Sequence, residues 1–313
     1  MKKLLILLLA LLLIGCAANP LAETASPVPH NAELPRPEAP DNLASSETAT
    51  LWFRYLDEPL LAPETRTLTL SPDRPMEYAL VSALLEGPDA QSTDLTALFP
   101  AGTRLLSTVR QGRTLFVTLS RQIMNGYPDE PANWQIDPYW VAEMPLRRRL
   151  CMQSLIATVT ENCDVDSVQV LLEQQGEITD SLRLRQHYYL NTADEARLAD
   201  PLVRDDRLLL SPGTTMSTVL TLWQAQDWPR LSRYVDADAD TLSERLGELP
   251  PLLDFSLSGP TVSDRQATFT LTATVRGASG TTTLTGRVLR LKRVGQRWQA
   301  AIDQLIGWLE GTP

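Results

Sequence analysis

Two histidines, His30 and His187, and three cysteines, Cys16, Cys151 and Cys163, bound the chemistry open to this 313-residue chain. A Ser-His-Asp or Cys-His unit would have to recruit His187, because His30 lies in a proline-rich stretch. His187 stands in Gln186-His187-Tyr188-Tyr189 with no nucleophile-elbow motif nearby. No His/Cys group has zinc spacing. Asp236, Asp238 and Asp240 open like a calcium loop. However, Thr241 occupies the glycine position and Gly247 the position of the closing bidentate glutamate, so a helix cap is the better reading. No glycine-rich phosphate loop is present. The expectation is a chain with no catalytic residues, no metal and no cofactor.

Other groups suggest contacts instead of catalysis. Between Gly126 and Pro145 the chain places Tyr127, Trp134, Tyr139 and Trp140 among Pro and Asp, reading as an inserted loop. Trp134 and Trp140 are the candidate binding residues, able to stack on a sugar or to pin the loop to its own domain. Arg147-Arg148-Arg149 would spread around a helix, reading as a solvated face. A net charge of −10 argues against nucleic acid as a partner, and 43% apolar residues fit a globular protein long enough for two domains.

The N-terminus reads as a targeting segment. Lys2 and Lys3 precede an apolar core from Leu4 to Ile14, too short for an ordinary spanning helix. Leu13-Ile14-Gly15-Cys16 resembles the lipobox of bacterial lipoproteins. That resemblance implies cleavage before Cys16, lipidation of its thiol (palmitate among the acyl groups), and anchorage on the outer face of a cell membrane, or on an outer membrane in a two-membraned cell. Residues 1–15 are thus a signal peptide. Residues 16–48, with Pro20, Pro27, Pro29, Pro35, Pro37 and Pro40, are expected to be a disordered tether.

The first folded segment, 49–190, is predicted to open with strands at Leu51–Leu56 and Arg66–Leu70. A helix follows with Met76, Ala79, Leu80, Ala83 and Leu84 on one face, stopped by Gly87-Pro88. Beyond Phe99-Pro100-Ala101-Gly102, Leu105, Ser107 and Val109 alternate, as do Leu115, Val117 and Leu119 after a Gln111-Gly112 turn. A helix from Val141 or Leu146 to Thr160 carries Met152, Leu155, Ile156 and Val159 on one face, and Val168–Leu172 is the last strand. Twelve helical residues would hold Cys151 and Cys163 about 18 Å apart, beyond the roughly 7 Å Cα reach of a disulfide.

This order resembles the GerMN-domain family of sporulation and spore germination proteins and related lipoproteins. Arg66, Leu80, Leu84, Gly87, Pro88, Pro100, Gly102 and Ser120 carry the match, over roughly residues 50 to 175. The resemblance implies an α/β sandwich with helices on one sheet face. It also implies a non-enzymatic role in sporulation or germination, with envelope proteins or a second copy as partners.

Residues 191–212 read as a linker containing Pro201. In 213–313, Met216, Val219, Leu220 and Trp223 make a helical face. Ala267, Phe269, Leu271, Ala273 and Val275 alternate strictly with threonines, Gly277–Gly280 turns the chain, and Trp298 opens a last strand. Helix first and antiparallel meander after is an α+β arrangement. It resembles the NTF2-like fold, whose members bind in pockets, act as scaffolds or catalyse, so fold alone assigns no role.

Overall fold

The computed structural model describes residues 45–174, 177–190, 197–277 and 280–309. Strand β1 (Ser45–Tyr55) begins inside the segment expected to be tether, and its end from Leu51 to Tyr55 is buried without interruption. Such continuous burial marks a strand covered on both faces. Strand β2 (Leu61–Leu70) pairs with it antiparallel from Arg54↔Leu61 to Ser45↔Leu70. On its other side β1 meets only the two-residue β3 (Leu95–Thr96), at Arg54 and Tyr55. The backbone groups of Thr50 and Trp52 therefore have no strand partner, although buried amides and carbonyls need one.

Helix α2 (Pro138–Asn162) supplies it. Ser154, Thr158 and Asn162 recur at i, i+4, i+8 and so lie on one stripe of the helix. Ser154 Oγ donates to the Trp52 carbonyl, Thr158 Oγ1 accepts from Trp52 N at 3.0 Å, and the Asn162 amide bonds both N and O of Thr50 at 3.0 and 2.8 Å. A polar stripe thus substitutes for a missing strand. The helix is longer than its apolar face suggested and absorbs the second part of the expected loop, because Asp137 caps it through Tyr139 N and Pro138 suits the first turn. Pro145 sits within it. From Leu150 to Val159 nearly every residue is buried, as for a helix with protein on all sides.

Helix α1 (Met76–Glu86) buries Leu80, Val81, Ala83 and Leu84; Val81 takes a core place that the sequence pattern did not give it, while Met76 and Ala79 are only half-buried. It ends at Gly87, whose φ of 90° and ψ of −179° lie in a region essentially reserved for glycine. Strands β4 (Leu105–Gln111) and β5 (Thr114–Leu119) form the expected hairpin, turning at Gly112 and Arg113. A bulge between Leu105 and Ser107 changes the phase of β4. Thr108 then faces Val117, and Val109 turns outward to 59% exposure, so Leu105, Ser107 and Val109 do not share a face.

Strand β5 pairs parallel with β6 (Ser167–Gln174), and β7 (Glu177–Arg183) and the short β8 (Leu202–Val203) both pair antiparallel with β6. The Germ of the expected architecture, a mixed α/β fold, is present, but as two sheets with α2 against both instead of one sheet with a helical face. Within the stretch read as a linker, residues 191–196 lie outside the described residues. Val203 and Leu202 pair with Ser167 and Val168, and Arg204 bonds Glu161.

After α3 (His187–Leu190), the C-terminal part begins with α4 (Pro212–Ala225), closed at its start by a reciprocal capping box of Ser211 and Thr214. Helices α5 (Trp228–Leu231) and α6 (Ala239–Gly247) follow, each capped by an aspartate: Asp227 accepts from Arg230 N and Asp238 from Thr241 N. Asp236 accepts from Ile302 N instead, so the aspartates read against a calcium loop have separate structural tasks. A curled antiparallel sheet is built from β9 (Leu252–Leu257), β10 (Thr261–Val262), β11 (Gln266–Gly277), β12 (Gly280–Val294) and β13 (Arg297–Ala300). Ala267, Phe269, Leu271, Ala273 and Val275 are all buried, as their alternation requires, and α7 (Ile302–Gly307) closes the chain. Gly277 pairs with Gly280 across a turn whose two central residues lie outside the described residues.

All described residues belong to one compact unit. The Glu58 side chain, wholly buried in the turn after β1, receives Arg230 Nε at 3.0 Å and also Arg233. Tyr55 Oη donates to the Arg233 carbonyl at 3.0 Å, Leu210 N to the Leu61 carbonyl at 2.7 Å, and Arg297 pairs with Asp94.

Candidate functional site

The candidate site grows from the arginine triplet of α2. Adjacent helical residues point about 100° apart, so the three guanidinium groups reach three surroundings. All three are half-buried, a correction to the solvated face near acidic neighbours expected of them: the acidic neighbours are there for Arg147 and Arg149, but aromatic rings also cover Arg147 and Arg148. Arg147 makes a two-pronged pair with Asp129 at 2.7 and 3.0 Å, bonds Glu143 at 3.2 Å, and lies 4.8 Å from the Tyr127 ring and 5.5 Å from that of Trp140. The hydrogen bond from Arg147 holds the Asp129 carboxyl below its ordinary range. Arg148 lies 5.0 Å from the Tyr188 ring and 6.0 Å from Trp134. Arg149 pairs with Asp205 at 2.9 Å.

Beneath this layer sits a buried ion pair. Arg54, 4% exposed, gives two hydrogen bonds to Glu143, which is 6% exposed, and further bonds to the carbonyls of Asp57 and Glu58 at 2.7 and 3.0 Å. Glu143 is shared with Arg147, so one carboxylate joins β1 to the aromatic layer. Tyr127 and Tyr188 are fixed by their hydroxyls, which donate to the carbonyls of Leu98 and Ile123 at 2.9 and 2.7 Å. Burial raises the pKa of both phenols.

Above this rigid base the chain exposes large apolar side chains: Met124 at the end of the 3-10 turn Arg121–Met124, Ile136 in the 3-10 turn Trp134–Ile136, and Tyr139 and Val141 in the first turn of α2. Ile136 is 78% and Tyr139 60% exposed. Next to them a groove of about 570 Å³ runs between the Arg121–Met124 turn, the ends of β6 and β7, and α3. Tyr188 lines that groove and also touches Arg148, which joins the two features.

The residues singled out by sequence separate into two sets. Trp134 and Trp140 are half-buried, each with an arginine against its ring. His187 lies exposed at the groove. The remaining motif residues hold the fold. Arg66 donates to the carbonyls of Ala83 and Gly87 at 3.3 and 2.9 Å, capturing acceptors left open at the end of α1, where a cation also suits the helix dipole. Glu64 holds Arg66 and accepts from Asp89 N at 2.9 Å, so Gly87 and Pro88 are clasped to β2. Leu80 and Leu84 are core. Pro100 accepts from Thr103 N in the turn that Gly102 completes at φ 81°, and buried Ser120 accepts from Arg104 N at 3.0 Å to close the hairpin. Cys16 lies outside the described residues. Among the described residues no group of three or more His, Cys, Asp or Glu is placed to hold a metal, and no helix is long and apolar enough to cross a membrane.

A family model described as Germane, sporulation and spore germination, matches residues 50–176. Residues 50–176 thus match a Germane domain. Among solved structures, the chain is similar to the tandem GerMN domains of the sporulation protein GerM from Bacillus subtilis. That match has 16% identity, covers 56% of this chain and 51% of that one, and has a TM-score of 0.34. The chain thus spans about half the length of that tandem structure. It is also similar to the first GerMN domain of the same protein (17% identity, 50% and 98% covered, TM-score 0.31). A predicted lipoprotein from Clostridium perfringens matches as well (16% identity, 52% and 89% covered, TM-score 0.29). No curated protein matches the chain. The Germane domain so delimited includes β1 to β6, the arginine triplet and the exposed apolar residues.

Both cysteines of the Germane domain are unbonded: Cys151 is wholly buried in α2 and Cys163 caps its end. Burial, reinforced by the Glu77 carboxylate, pushes the Cys163 thiol up to about 11. The thiolate is the reactive form, so at pH 8 only about one thiol in a thousand is ionised. Maleimide or iodoacetamide labelling of Cys163 in the folded chain should accordingly be slow at pH 8 and rise about tenfold per pH unit toward 11. Peptide mapping of the labelled chain measures this; fast labelling at pH 7 would contradict it.

Proposed function

We propose that this chain is a non-enzymatic envelope protein, anchored by lipid on Cys16, whose Germane domain acts as a protein–protein assembly module in sporulation or germination. The observation that carries the reading is the exposure of Met124, Ile136, Tyr139 and Val141 on a base of locked aromatic and arginine side chains. Met, Tyr, Trp and Arg are the residues enriched in protein interfaces, and rigid aromatic anchors lose little entropy on binding. The family description supports a setting in sporulation or germination, and the resemblance of residues 13–16 to a lipobox supports the anchor. The C-terminal part we read as NTF2-like, with its helices before the curled sheet as support.

The alternative occupant of the same surface is a wall glycan on Trp134 and Trp140. An arginine over one face of each half-buried ring leaves less open ring surface for a sugar than Ile136 and Tyr139 offer to a protein, which favours the assembly reading. In a spore-forming host, Ile136→Asp with Tyr139→Ala should weaken assembly about tenfold or more and lower heat-resistant spore counts. The melting temperature should not change, because both side chains are exposed. Photocrosslinks from position 136 to a protein should appear in the parent chain and vanish in the variant. Normal spore numbers with the double variant, or crosslinks only to glycan, would overturn the reading.

A further inference from the structure

The groove beside the apolar residues has a charge that the chain as a whole does not. Arg121, Arg183, Arg185 and His187 line it, with Glu173 the one carboxylate on its wall among the described residues, in a chain of net charge −10. Several arginines elsewhere in the Germane domain are matched to carboxylates: Arg54 to Glu143, Arg66 to Glu64, Arg113 to Asp164 and Asp166, Arg147 to Asp129. Arg121 and Arg183 are exposed and have no ion-pair partner among the described residues. They come from different elements, a 3-10 turn and the end of β7, and converge on one concavity. Its floor is apolar, with Leu172 and Leu184.

From this geometry we infer that the groove binds an acidic peptide segment, carrying apolar side chains between its carboxylates, contributed by a protein partner. The volume lies in the range of ordinary ligand sites. Arginine is suited to two-pronged carboxylate recognition, and Leu172 and Leu184 offer the floor that an alternating acidic and apolar strand would cover. Among the described residues strand β7 pairs only with β6 in its sheet, so its far side is placed to receive an extended segment. An anionic bilayer is a poorer occupant. A flat surface cannot enter a concave groove, and it meets the repulsion of the whole acidic chain, whereas an inserted peptide meets the local field. The inference rests on the assembly reading and adds the chemistry of the partner.

The test uses the full chain in neutral detergent and a fluorescein-labelled peptide of alternating Leu and Glu, followed by polarisation. Saturable binding is expected, weakening with salt, and falling about tenfold or more in R121E/R183E. A peptide with Gln in place of Glu should bind correspondingly worse, and R276E, an exposed change on β11, should leave affinity unaltered. Circular dichroism confirms that the variants fold, and Arg121→Gln gives a milder second test at the same position. Absence of binding to the parent chain, equal affinity for the Gln peptide, or an equal loss in R276E overturns the proposal. So does capture of phosphatidylglycerol vesicles that depends on Arg121 and Arg183 while the peptide fails to bind. If crosslinking through position 136 persists while the peptide fails, the groove proposal alone falls. If crosslinking is absent while the peptide binds, the assembly surface alone falls.

Discussion

Replacing Arg54 by methionine is expected to lower stability by roughly 3–5 kcal/mol, the cost typical of breaking a buried ion pair from one side. For a unit of this size that corresponds to a fall of about 6–15 °C in melting temperature. Methionine fills much of the same volume, so packing is not the main loss. What disappears are the donors to the carbonyls of Asp57 and Glu58 and to Glu143, the last two residues buried and Asp57 at the surface. Glu143 would keep only Arg147, at 3.2 Å. The double variant R54M/E143L should recover part of the loss, because removing both members of a buried pair avoids leaving a lone charge. It should not recover all of it, since the two turn carbonyls stay unsatisfied and Arg147 loses one of its acceptors. Thermal and urea melts of the three chains decide the matter. An R54M chain melting within about 1 °C of the parent would mean that the pair has no net structural weight.

Periodicity made the local elements legible. The face of Met152, Leu155, Ile156 and Val159 and the alternation of Ala267 through Val275 both belong to single elements, so a short window of sequence contains the full signal. Arg66 and Gly87 were readable as a pair of family positions, and the structure adds the reason: one supplies donors to the helix end that the other terminates. The sites that need two distant elements were not readable. Arg54 and Glu143 are 89 positions apart, and in sequence each is an ordinary charged residue. The polar residues Ser154, Thr158 and Asn162 went unread, because nothing local shows that they face an unpaired strand. The bulge at Leu105–Ser107 likewise has no glycine or proline to announce it, which is why the phase of β4 was misread. The groove escaped notice because its arginines lie on a 3-10 turn, a strand end and a loop, with no motif to join them.

The second large effect is expected at Glu58. Its carboxylate is wholly buried, and its two cations come from α5 and the turn after it, 172 and 175 positions along the chain. Glu58→Ala should cost about 2–4 kcal/mol, less than at Arg54, because Arg230 and Arg233 are 41% and 26% exposed and regain water when released. The more informative readout is cooperativity. In the parent chain the Germane domain and the C-terminal sheet should unfold in one calorimetric transition, since Glu58, Tyr55, Leu61 and Asp94 all bond across to the C-terminal part. Removing the buried carboxylate leaves only the smaller contacts, so the transition should broaden or divide in Glu58→Ala and to a lesser degree in Glu58→Gln, which keeps an acceptor for Arg230. A single sharp transition at the parent temperature in Glu58→Ala would show that the apolar contacts of the junction suffice. The division expected instead would mean that one buried carboxylate couples the unfolding of the C-terminal sheet to that of the Germane domain.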